Sequence, residues 1–280
     1  MTSGRRLSVV ALALVLAACG GTTPASSVAP PTTASSQAAA TATSIELTVL
    51  GAASLKGVLD KAKTAYEAAN EGVTLTISTD SSTALETQIE QGAPADVFLS
   101  ADTRNPQTLL DKGYAIGPLV PFAENKLTVI VPSDNPAGIA SPADLAKAGV
   151  VVIAAGDEVP ITKYATMLVD NLAKQPGYPA DFAAKYAANV ASQEENVKAI
   201  VGKVELGQGD AGIVYVTDAA ASGKVKTIDV PPGANVLATY GGVVVKASPN
   251  ADAAKAFLAW LSGPGGQAIL AGFGFLPLST

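Results

Sequence analysis

The feature that most limits what this chain can fold into is a set of short, unbroken apolar runs separated by segments of helical periodicity. Residues 127–131, 150–154 and 212–216 are continuous apolar stretches of strand length. Such runs fit strands buried on both faces, the situation of a parallel sheet covered by helices. Between them, 162–173 and 196–206 carry helical spacing. Earlier, a strand over 45–50 leads into a helix over 55–69, where Leu55, Val58, Leu59, Ala62, Ala65 and Ala69 recur on one face. A strand over 73–78, a short helix with Leu85 and Ile89 inward, and a strand over 96–99 follow. The alternation predicts parallel sheets flanked by helices.

One segment breaks a single-sheet reading. Residues 235–246 return as a strand, and the chain then ends in helices near 252–261 and 265–271. Two α/β lobes crossed twice by the chain produce that order. A ligand then belongs in the cleft between them, at the carboxyl ends of the strands, where helix N-termini face each other.

The N-terminal segment sets the compartment. Arg5 and Arg6 precede an apolar run over 7–18, long enough for the core of a signal peptide and too short to cross a bilayer as a helix. The run ends in Leu16-Ala17-Ala18-Cys19-Gly20, which resembles a bacterial lipobox. Cys19 is the only cysteine in 280 residues, which excludes an intrachain disulfide and makes a thiol at the cleavage point look placed. The expectation is a signal peptide over 1–18, a lipidated Cys19, and a tether over 19–44. That tether is rich in Ala, Ser, Thr and Pro, a composition that cannot bury enough surface to offset its ordering entropy, so it is expected to be disordered.

Composition removes most chemistry. There is no histidine, so Ser-His-Asp and Cys-His catalysis and His-ligated zinc are excluded. Loss of Arg5 and Arg6 on processing takes the formal charge from −6 to −8, and no basic stripe remains, which argues against nucleic acid. One arginine, Arg104, survives, in what reads as a loop after the third strand. A surface hydrolase would need a base near Ser54 or Ser82. Lys56 and Glu86 are the nearest in sequence, and both can point away from a serine on a helix.

What remains is a set of uncharged donors. Ser54 follows the first strand at a helix start. Asp80-Ser81-Ser82-Thr83 follows the second strand, and Thr83-x-x-Glu86 fits a capping box that would put the cap at Thr83. Tyr215 ends a strand. Helix N-termini expose unpaired N–H groups with partial positive charge and bind anions without a cationic side chain. For the helix near 196, Ser192-Gln193-Glu194-Glu195 also fits a capping box. Asn196 is the better start, because 192–195 offers no inward apolar residue whereas Val197, Ile200, Val201 and Val204 form a stripe.

Ala52-Ala53-Ser54-Leu55, then Ser81-Ser82-x-x-Leu85-x-x-Gln88-Ile89-x-x-Gly92-Ala93-Pro94-Ala95-Asp96-Val97-Phe98-x-Ser100-Ala101-Asp102, resembles the molybdate-binding proteins of bacterial ABC importers. Gly212-Ile213-Val214-Tyr215-x-x-Asp218-Ala219 and the ending from Gly263-Pro264 to Gly272-Phe273 look like that family too. The resemblance covers nearly all of 45–275. It implies an α/β, two-lobed type II periplasmic-binding-protein fold, each lobe a mostly parallel sheet flanked by helices, with two crossover segments as hinge. Lobe I would comprise 45–125 plus 236–280, and lobe II 126–235. It also implies a ligand, molybdate or tungstate, with no cofactor and no metal bound as a bare cation.

Carried over by position, Ser54 and Ser82 would each give a hydroxyl and an N–H, Ile161 and Val197 an N–H, and Tyr215 its phenol. In relatives the position of Ile161 is often a small residue followed by Gly, whereas Thr162 follows here. The partners implied are a small oxyanion, an ABC permease and, through the lipid, a membrane, with the protein a monomer. Sulfate is the alternative ligand.

Overall fold

The computed structural model describes residues 44–279. The expected signal peptide, Cys19 and the tether up to residue 43 lie outside the described residues, as does Thr280. Among the described residues no helix is long and apolar enough to cross a membrane.

The strands in chain order begin with β1 (Ile45–Ala52), β2 (Val73–Asp80), β3 (Val97–Ser100), β4 (Ala115–Asn125) and β5 (Leu127–Pro132). They continue with β6 (Val152–Ala155), β7 (Val190–Glu194), β8 (Ala211–Tyr215), β9 (Val225–Ile228) and β10 (Ala238–Val245). Two five-stranded sheets result, one ordered β2-β1-β3-β10-β4 and the other β7-β6-β8-β5-β9. The helices are α1 (Lys56–Ala69), entered through a 3-10 turn at Ala53–Leu55, α2 (Ser82–Glu90), α3 (Arg104–Asp111), α4 (Pro160–Leu172) and α5 (Phe182–Asn189). Then come α6 (Val197–Glu205), α7 (Val216–Ala220), α8 (Ala251–Ser262) and α9 (Pro264–Gly272). The architecture is a two-lobed α/β fold, one sheet to each lobe.

Parallel pairing holds for β2-β1-β3 and β7-β6-β8, in registers such as Leu47 beside Leu75 and Ile153 beside Gly212. The sheets are mixed, because β10 runs against β3 and β4, and β5 runs against β8 and β9. The reason is the double crossing. Only Lys126 separates β4 from β5, and 229–237 bring the chain back from β9 to β10. Each strand that enters its sheet from the cleft must run against strands whose carboxyl ends face the cleft.

The apolar runs are buried as strands covered on both faces should be: Val129, Ile130, Val131 and Val214 are fully buried. The run at 150–154 is displaced. Strand β6 starts at Val152, and Val151 is instead held in a loop by its N–H, which donates to Asp210 Oδ2 at 2.8 Å. Gly212 lets α6 approach β8 closely, since a Cβ there would lie 2.6 Å from Ile200 Cγ2 and 3.0 Å from the Ile153 carbonyl. Arg104 is not in a loop. It opens α3, which, like β4, gave no clear signal because Pro106, Gly117, Pro118 and Pro121 interrupt the periodicity.

Candidate ligand site

Ser54, Ser82, Ile161, Val197 and Tyr215 all line one small cavity between the two sheets. None of the described residues lining it is charged. Each is brought there by a strand end or a helix start.

Ser54 lies in the 3-10 turn that β1 enters, is 7% exposed, and its Oγ is 3.0 Å from the hydroxyl of Tyr240. Ser82 is the first residue of α2, and the cap is Ser81, whose Oγ accepts the Ala84 N–H at 3.2 Å. The capping box expected at Thr83 is therefore not formed. Thr83 is spent elsewhere, donating to the Glu158 carbonyl at 2.6 Å. Glu86 turns inward instead, and burial, then the neighbouring Glu90 charge, pushes its carboxyl up to about 7. Ser82 Oγ accepts the Ala101 N–H at 3.0 Å, so its own proton remains free to donate.

Ile161 is the second residue of α4. Pro160 before it has no N–H, and the Thr162 N–H is taken by the Val159 carbonyl at 3.0 Å. Helix geometry leaves the Ile161 N–H without an intrahelical partner. Val197 opens α6 under the cap of Asn196, whose Oδ1 accepts the Ala199 N–H at 3.1 Å. Residues 192–194 belong to β7, where Lys203 Nζ holds Glu194 Oε1 at 2.6 Å and Ser192 Oγ at 2.8 Å. The helix therefore starts after Asn196, and the Val197 N–H stays among the unpaired donors.

Tyr215 ends β8 and is fully buried. Among the described residues its hydroxyl has no hydrogen-bond partner. Burial, reinforced by Tyr240 and Tyr164, holds its pKa well above the ordinary value, so the phenol stays protonated and available as a donor. A buried donor left unpaired costs about 1–3 kcal/mol unless something else accepts from it.

The cleft is drawn together across the lobes. Thr83 reaches the Glu158 carbonyl, and Asn196 Nδ2 donates to Asp80 Oδ1 at 3.2 Å. Arg104 stands aside, half-exposed, with its Nε 3.8 Å from Asp102 Oδ2. Neither the cross-lobe bonds nor the part played by Tyr240 could be read from sequence, because each joins residues far apart in the chain.

The sequence matches the family model described as bacterial extracellular solute-binding protein over residues 47–276. It is 32% identical over 275 residues to the molybdate-binding protein ModA of Mycobacterium tuberculosis (strain ATCC 25618 / H37Rv), covering 97% of each chain. The fold is similar to the periplasmic molybdate-binding protein of Azotobacter vinelandii, with a TM-score of 0.68 and 25% identity over 84% of this chain and 100% of that one. The sulfate-binding protein SubI of M. tuberculosis superposes with a TM-score of 0.75 over 84% of this chain and 88% of that one. At 23% identity that likeness shows the fold alone.

Proposed function

The chain belongs to the bacterial extracellular solute-binding proteins, and from that premise we infer that it captures molybdate, or tungstate, outside the cytoplasm and delivers it to the permease of an ABC importer. The observation that carries the reading is the buried Tyr215 hydroxyl, unpartnered among the described residues. It faces a space ringed by the N-termini of α2, α4 and α6 and free of Lys and Arg. A tetrahedral dianion supplies the acceptors that such donors lack.

The energetics suffice without a counter-charge. Seven donors, two each from Ser54 and Ser82 and one each from Ile161, Val197 and Tyr215, contribute ~1.5–3 kcal/mol apiece, or roughly 10–20 kcal/mol gross. Association takes back at least ~4 kcal/mol, which leaves room for micromolar or tighter binding. Selectivity follows from the same geometry. With the Ser82 oxygen already accepting the Ala101 N–H, the site favours anions that carry no proton. Charge pattern cannot separate molybdate or tungstate from sulfate, so cavity size must do it, the metal–oxygen bonds being longer.

In this reading residues 45–125 plus 236–280 form one moving body and 126–235 the other. The protein acts as a monomer held to the membrane through Cys19. It binds and releases its ligand unchanged, and it performs no catalysis. Calorimetric titration with molybdate, tungstate, sulfate and phosphate tests the proposal. Heat with molybdate or tungstate and none with phosphate is expected. Binding of sulfate alone would move the assignment to that anion, and hydrolysis of ester or phosphate substrates would replace it with an enzyme.

A further inference from the structure

Tyr240 does not line the cavity, but its hydroxyl reaches Ser54, which does. Its side chain is fully buried on β10 and held on three sides by rings: Phe275 at 5.3 Å, Tyr215 at 5.6 Å and Phe122 at 6.1 Å between centroids, each edge-on. A ring clamped in this way has one place for its hydroxyl, and that place is 3.0 Å from Ser54 Oγ. Tyr240 thus touches a lining residue without lining the cavity itself.

The direction of that bond decides what Ser54 can do. A serine hydroxyl has one proton. If Ser54 donated to Tyr240, its oxygen would turn a lone pair toward the ligand and repel an anion. The surroundings of Tyr240 favour the other direction. Burial keeps its phenol protonated, and among the described residues Ser54 Oγ is the one hydrogen-bond partner of its hydroxyl, so a Tyr240 that only accepted from Ser54 would leave its own buried proton unpaired. Donation from Tyr240 to Ser54 pairs that proton and leaves the Ser54 proton for the cavity.

We propose that Tyr240 is a positioning residue for the anion site: its hydroxyl donates to Ser54 Oγ and thereby turns the Ser54 proton into the cavity. The inference rests on the oxyanion reading above. It adds to the site a residue that touches no ligand, and it ties Ser54 to β10, the strand by which the chain returns to the first sheet. It also makes Ser54 and Ser82 alike, each with its oxygen already accepting and its proton left over.

A double-mutant cycle on the full-length protein tests the proposal, with Tyr240→Phe and Ser54→Ala made singly and together and molybdate affinity read by calorimetry. Tyr240→Phe is expected to weaken binding about tenfold when Ser54 is present and less than about twofold in the Ser54→Ala background, because the effect passes through one hydroxyl. Equal losses in both backgrounds, or no loss in either, overturn it. A wild-type protein that binds neither molybdate nor tungstate overturns the oxyanion reading and this proposal with it. Wild-type binding with additive losses overturns this proposal alone. Should Tyr240→Phe fail to fold, the assigned Tyr240 Cζ signal of ¹³C-tyrosine-labelled protein replaces it. That signal is expected to move when molybdate is added to the wild type and to stay still in Ser54→Ala, and a signal unmoved in the wild type overturns the proposal.

Discussion

Tyr215 carries two opposing effects in one hydroxyl. Among the described residues it is a buried donor with no partner, and the proposed ligand would supply its acceptor. Replacing it with phenylalanine is therefore expected to weaken molybdate binding about tenfold while leaving the unliganded protein as stable as before, or more stable by up to about 1–3 kcal/mol. Calorimetry and urea unfolding read the two effects separately, and unchanged affinity would take the phenol out of the site. Residues of this kind could be picked out in the sequence, because a hydroxyl at a strand end or helix start is a local pattern. Tyr240 could not. Its partner is 186 residues away, and nothing near it in the chain marks it as more than a core aromatic.

Helix starts deliver the backbone donors, and their placement is testable one helix at a time. Val197 is the first residue of α6, where proline is tolerated, and the extended Asn196 (φ −157°, ψ 169°) already suits a following proline. Val197→Pro is expected to keep α6 and remove one N–H from the cavity, lowering molybdate affinity about tenfold with only a modest fall in thermal midpoint. Affinity equal to wild type would show that this N–H is not used.

Helix α2 supplies a pH effect. The Glu86 carboxyl, raised to about 7 chiefly by burial and then by Glu90, is opposed by Lys112. A carboxyl whose folded pKa exceeds its unfolded one binds more protons when folded. Stability from this group is therefore fully present below about pH 4.5 and is lost as pH rises through about 7. Glu86→Gln is expected to flatten that fall, seen as a smaller drop in urea midpoint between pH 5 and pH 8. An identical drop in both proteins would mean Glu86 titrates normally. The choice of Asn196 over Ser192 as cap could be made from the hydrophobic stripe of α6, which is local. The Thr83 box failed because its hydroxyl is claimed by Glu158 from the other lobe.

At the scale of the whole molecule, donors come from both sheets, with Ser54 and Ser82 after β1 and β2 and Ile161, Val197 and Tyr215 from the other lobe. A ligand that bonds to both sides favours the closed arrangement, in which Thr83 meets Glu158 and Asn196 meets Asp80. Small-angle scattering is expected to show a smaller radius of gyration on adding molybdate, whereas an unchanged radius would confine binding to one lobe. The anchor is tested separately. Cys19→Ala is expected to move the protein from the membrane fraction to the soluble one or to leave it unprocessed, and correct cleavage with continued membrane attachment would refute the lipid assignment.

What is local or periodic was legible in the chain before folding. The chain specified the buried runs of β5 and β8, the amphipathic faces of α1 and α6, the small polar residues at strand ends, and the absence of histidine that turns the site toward uncharged donors. These follow from side-chain chemistry within a few residues, and no distant contact is needed to express them. Tertiary structure alone decided the antiparallel runs of β5 and β10, the partners that reach the Ser54 and Ser82 hydroxyls, and the loss of the Thr83 cap. Each of those depends on which group arrives from the other end of the chain when two lobes close. A hydroxyl's orientation is set by its nearest partner in space, and the partners of Ser54 and Thr83 lie 186 and 75 residues away along the chain.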